Sequence, residues 1–143
     1  MSRGGGIQEA IDTFAAALPD FVRGDPTPFA TLWSHGDDVT IFGGWGAYER
    51  GWRAVGPRLV WAAGRFAGGQ VTYEPLAAGS SGDLGYAIGL ERGETLVMEG
   101  EKPHPLLLRV THIFRREEGQ WKLIHRHADP IVIKTAPEAI LQV

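Results

Sequence analysis

His104–Asp129, HPLLLRVTHIFRREEGQWKLIHRHAD, alternates apolar and polar side chains on either side of an acidic turn. That period of two predicts a pair of antiparallel strands. Leu106, Leu108, Val110, His112 and Phe114 share one face of the first strand; Leu107, Arg109, Thr111, Ile113 and Arg115 take the other. On the second strand Trp121, Leu123, His125, His127 and Asp129 fall together. A turn at Glu118-Gly119, or a four-residue loop Glu117–Gln120, pairs Arg116 with Trp121, Phe114 with Leu123, His112 with His125 and Val110 with His127. A bulge would break this register.

The register gathers three histidines and a carboxylate on a face otherwise made of Leu, Val, Phe and Trp. Opposite residues such as His112 and His125 would have Cβ atoms about 4.5–5.5 Å apart. Apolar walls with a few ionisable groups suit a small-molecule pocket, and an imidazole can move protons near neutral pH. The plainer alternative is a neutral imidazole sharing a hydrogen bond with its neighbour. Three imidazoles would also suit zinc, but a bare His-x-His is a weak signal, and alternate residues sit roughly 6.5–7 Å apart along a strand. No metal site is assigned.

A chain of 143 residues is long enough for one domain with its own core, and with no cysteine it has neither disulfides nor thiolate chemistry. A net charge of −3 leaves no electrostatic footprint for nucleic acid. Arg109, Arg115, Lys122 and Arg126 are expected on the outer face of the hairpin, with Glu74, Glu91, Glu94 and Glu99 as partners. No apolar run has the length of a membrane span, and MSRGGG lacks the apolar core of a signal peptide, so a soluble, cytoplasmic protein is expected.

Ile7, Ile11, Phe14, Leu18 and either Phe21 or Val22 recur at helical spacing, with Pro19 expected to kink or shorten the helix. Asp25 as N-cap and Pro26 at the first helical position open a second helix, whose buried stripe is Phe29, Leu32 and Trp33. A strand follows at Val39–Phe42. Gly43–Gly46 lacks the spacing of a phosphate loop, so Trp45 and Tyr48 are expected to cover a pocket mouth or to pin a turn. A third helix spans Trp52–Phe66, its regular part starting near Pro57. Strands are expected at Gln70–Ala78, Leu84–Arg92 and Thr95–Met98, with a turn at Gly79–Gly82. Gly85 and Gly89 thin one face of a curved strand. Residues 1–6 and 134–143 are expected to be less ordered tails, with a short helix at Pro137–Leu141. Helices followed by strands make an α+β plan.

Two helices, the phrase LWSHGDDVTIFG, a Gly-rich loop, a GW-led helix and EEGQWKLIHRHADP together resemble the nuclear transport factor 2-like superfamily, in its SnoaL-like and ketosteroid isomerase-like branch. The hairpin is also similar to the association domain of calcium/calmodulin-dependent kinase. The resemblance covers residues 7 to 132. It implies a cone-shaped α+β barrel, a strongly curved antiparallel sheet wrapped around N-terminal helices, with one internal pocket. It also implies a homodimer through the sheet's outer face, by way of Arg109, Thr111, Ile113, Arg115, Ile124 and Arg126. The steroid isomerases' general base falls on Gly43, their tyrosine on Phe14 and their oxyanion aspartate on His112, so that Asp/Tyr mechanism is not expected.

What the resemblance implies instead is a small hydrophobic ligand or carbonyl substrate, and no cofactor. If the domain is an enzyme, it would be an isomerase, cyclase or lyase in which His112, His127 and Asp129 handle protons. Phe14, Trp33, Trp45, Tyr48, Phe114, Trp121, Leu123 and His125 would contact the ligand. The alternative is a non-catalytic domain for ligand binding or self-association.

Overall fold

In the computed structural model, which describes residues 6–142, the first helix runs Ile7–Val22 (α1). It buries Ile11, Phe14, Leu18 and Val22 along one stripe. Pro19 neither shortens nor ends it. The proline removes one N–H from the last turn, and the burial of Leu18 and Val22 on either side offsets that loss. Helix α2, Thr27–Thr31, starts one residue later than expected, with Pro26 at its N-cap and the Asp25 carboxylate accepting the Thr27 N–H at 3.0 Å. It ends before Leu32 and Trp33, so only Phe29 of the expected stripe lies within it.

The remaining elements are β1 (Thr40–Phe42), β2 (Glu49–Arg50), α3 (Trp52–Ala63), β3 (Thr72–Ser81), β4 (Leu84–Leu96), β5 (His104–Glu117) and β6 (Gln120–Asp129). An exposed turn of 3-10 helix follows at Pro137–Ile140. Helix α3 begins five residues before Pro57. The Trp52 N–H donates to the Gly36 carbonyl at 3.0 Å and the Gly51 N–H to that of Val39 at 2.7 Å, anchoring the first turn upstream of the proline. Strands β3 and β4 run on to a two-residue turn at Gly82-Asp83, and β4 takes in Thr95 and Leu96 of the strand expected at Thr95–Met98, leaving Met98 as an isolated bridge to Phe66.

The strands form one curved, open sheet in the order β2-β1-β6-β5-β4-β3. Every neighbouring pair is antiparallel except β1 and β6. That parallel pair follows from how the chain leaves α2. The Ser34 N–H donates to the Leu123 carbonyl and the Leu123 N–H to that of Leu32, so the chain already runs beside β6 in its own direction. On the inner face of β4, Gly85, Ala87 and Gly89 leave room for what packs above. A Cβ on Gly85 would lie 2.7 Å from Ile7, and one on Gly89 2.5 Å from the Tyr73 ring. Phe14, Phe29, Trp33, Phe114, Trp121 and Leu123 fill the core between sheet and helices.

The hairpin departs from its expected register at one residue. Arg116 pairs with Trp121 and Phe114 with Leu123, as expected, across a turn in which Glu118 and Gly119 both have positive φ. Ile124 is then an extra residue. Beyond it Ile113 pairs with His125, His112 with Arg126, Thr111 with His127 and Arg109 with Asp129. A one-residue slip exchanges the faces of a strand. His125, His127 and Asp129 therefore point outward, and Arg126 points in.

A candidate ligand cavity with a buried ion pair

A cavity of about 300 Å³ opens between α1, α3 and the inner face of the sheet. Its walls are apolar: Phe14 and Leu18 from α1, Leu59 from α3, Ile41 from β1, Leu106 and Leu108 from β5. Gly43, Gly44 and Trp45 of the β1–β2 loop complete one side. Trp45, 48% exposed, packs edge-on against Trp61 at 5.2 Å and tilted against Phe66 at 5.7 Å. These contacts tie the loop to α3 and its C-terminal extension.

The polar groups of the cavity are Glu91, Arg126 and Arg58. Glu91 and Arg126 form a bidentate pair, Oε2 to Nη1 at 2.6 Å and Oε1 to Nη2 at 2.9 Å. Their side chains keep 4% and 13% of their surface. Two groups buried this deeply are tolerable only because the planar guanidinium fork matches the carboxylate and the attraction acts far from water.

Arg126 Nη1 also lies 3.1 Å from His112 Nε2. A guanidinium can only donate, so Nε2 accepts and the ring proton sits on Nδ1. Among the described residues nothing bonds to that Nδ1. Burial, then the charge of Arg126, then that of His125, push the His112 pKa well below its ordinary value. The imidazole is therefore neutral near pH 7. It packs edge-on against Phe14 at 4.4 Å and does not line the cavity. His112 is thus a neutral inner imidazole braced between Phe14 and Arg126.

The other expected site residues divide between the cavity, the core and the outer face, where His127 Nε2 lies 3.4 Å from Asp129 Oδ2. Phe14 and Trp45 line the cavity. Trp33, Phe114, Trp121 and Leu123 belong to the packed core behind it. Tyr48 is 68% exposed and stands against Phe42 outside. His125 and His127 flank the Phe42 ring on the outer face, each at 5.2 Å. Thr40 Oγ1 is 2.7 Å from His125 Nδ1, and burial lowers the His125 pKa. With His112 on one side of the sheet and His125 and His127 on the other, the three imidazoles do not converge. Asp129 makes two 2.8 Å bonds with Arg109 and accepts the Ile131 N–H at 3.0 Å, capping the turn after Pro130. The Arg109 guanidinium holds its carboxyl below the usual carboxylate range.

Glu91 and Arg126 were expected outside. Glu91 has the parity of Gly85, Ala87 and Gly89, a signal that could have placed it inside. For Arg126 the signal was fainter: apolar positions on β6 switch from odd (Trp121, Leu123) to even (Ala128), as a bulge requires.

A model of the SnoaL-like domain matches residues 7–133. Solved structures agree in fold. One is a nuclear transport factor 2-like superfamily protein from Salmonella enterica serovar Typhimurium LT2, with 17% identity, TM-score 0.76 and coverage of 92% of this chain and 93% of that one. A second, from Thiobacillus denitrificans, is provisionally assigned as a calcium/calmodulin-dependent protein kinase type II association domain (20%, TM-score 0.73, coverage 91% and 98%). A third, from Streptomyces avermitilis, is provisionally assigned as a dehydratase of the same superfamily (20%, TM-score 0.70, coverage 89% and 94%). No curated protein matches the sequence.

Proposed function

Because the chain belongs to the SnoaL-like domain family of the nuclear transport factor 2-like superfamily, we propose that it binds a small, largely apolar molecule in the cavity above the Glu91–Arg126 pair. The observation that carries this reading is the cavity itself. Its volume of about 300 Å³ is at the lower end of the range for ligand sites, and its apolar walls enclose a few fixed polar groups. A ligand carbonyl or hydroxyl reaching the floor would meet a guanidinium already held in place.

Ala62 of α3 lines the cavity, and Ala62→Trp would fill it. Small aromatic and aliphatic compounds should raise the Tm of the wild type and leave that of Ala62→Trp unchanged, with both proteins folded by circular dichroism. Equal shifts in the two proteins, or none in the wild type, would reject the reading.

Proton transfer on the bound molecule is a second reading, favoured by the carboxylate at the cavity floor. Glu91 is then the group in reach of the ligand, and His112 a positioning residue that orients Arg126. Turnover surviving Glu91→Gln would dismiss it.

We also infer a homodimer through the outer face of the sheet. Phe42, Tyr86, Ile88 and Ile113 are each more than a third exposed there, and the register joins them across β1, β6, β5 and β4. A contiguous apolar patch of this kind favours a partner surface of like character.

A further inference from the structure

Resting on the reading that the cavity receives an apolar molecule, we infer that this molecule is an amphipathic monoanion, a carboxylate whose tail lies in the cavity and whose headgroup is held at the rim by Arg58. The three charged side chains of the cavity are not equivalent. Glu91 and Arg126 neutralise one another through two short bonds, so an anion driven to the floor gains no net attraction and faces the Glu91 carboxylate. The floor rejects the headgroup.

Arg58 is different. Among the described residues no carboxylate lies within 4.0 Å of its guanidinium, and it makes no side-chain hydrogen bond. It stacks over the Trp61 ring at 4.0 Å, and Trp61 in turn touches the exposed Trp45 at the edge of the cavity. Stacking occupies the face of the guanidinium and leaves its edge, with five N–H donors, free for a two-oxygen acceptor. It also holds the fork in place before a ligand arrives, which lowers the entropy lost on binding. Arg65, 5.0 Å from the same ring and likewise without a carboxylate partner, adds positive potential at this end. One unpartnered cation lining the cavity calls for one negative charge. The walls of Leu18, Leu96, Leu106 and Leu108 call for an apolar tail.

The test uses two matched pairs, 4-phenylbutyrate with 4-phenylbutanol and decanoate with decanol, titrated by tryptophan fluorescence into wild type, Arg58→Gln and Arg126→Met. In the wild type at low salt each acid should bind roughly tenfold tighter than its alcohol, the worth of one charge-assisted contact. Arg58→Gln should bring the acids down to the alcohols and leave the alcohols unchanged; added salt should do the same more weakly. Alcohols that bind as tightly as the acids overturn the anion assignment and leave the cavity reading standing. An acid preference that survives Arg58→Gln and disappears in Arg126→Met moves the headgroup to the floor and also overturns it. If none of the four compounds binds the wild type, the cavity reading fails and this one with it.

Discussion

The Glu91 carboxylate and the Arg126 guanidinium are almost wholly removed from water, so each depends on the other for its solvation. Removing one partner leaves a buried charge, whereas removing both leaves only a packing change. Glu91→Leu and Arg126→Met should therefore each lower stability by about 3–5 kcal/mol, and the double variant by much less than the sum. Urea denaturation of the four proteins checks this, and additive losses would contradict it. His112 contributes a pH signature. Its folded-state pKa lies well below the 6.5 of a free imidazole, so as pH falls through about that value the unfolded chain takes up a proton that the folded ring refuses. Stability due to His112 is complete above this value and drains away below it. Unfolding free energy should thus decline from pH 7 to pH 5, and less steeply in His112→Gln, with the remainder carried by His125, whose pKa is also lowered. The paired carboxylates Asp38, Glu117 and Asp129, held low by their arginines, titrate at lower pH and do not share this window.

At the scale of single elements, the inner face of β4 sets how closely its neighbours approach. A methyl at Gly89 would lie 2.5 Å from the Tyr73 ring and 2.6 Å from the Glu74 carbonyl oxygen. Because the second contact is backbone, it cannot rotate away. Gly89→Ala should destabilise the fold by about 1–3 kcal/mol, and a variant of wild-type Tm would refute the close packing. The same scale shows what was legible in the sequence. Helical spacing gave α1 and the Asp25 cap, and period-two alternation gave β5, β6 and their turn. The Ile124 bulge was not read, because alternation reports which residues share a face only while the ladder is unbroken. One extra residue carried His125, His127 and Asp129 out of the candidate site and brought Arg126 into it.

For the whole molecule, the homodimer we infer places assembly on the outer face of the sheet. Ile113 sits in the middle of the apolar patch, flanked by Tyr86 on β4 and His125 on β6. Ile113→Lys points outward and should convert a dimer to a monomer in sedimentation velocity while the chain stays folded by circular dichroism; an unaltered sedimentation coefficient would move the interface elsewhere. By itself the sequence determined the α+β plan and the long hairpin, since these rest on local periodicity, capping and turn chemistry, and it pointed to the family through the resemblance of phrases such as EEGQWKLIHRHADP. Only the tertiary structure decided which polar side chains meet inside. That outcome depends on the bulge, on the room left by Gly85 and Gly89, and on the mutual neutralisation of two residues 35 positions apart, Glu91 and Arg126. Pairing across such a distance is set by how the strands register once folded, and no local pattern encodes it.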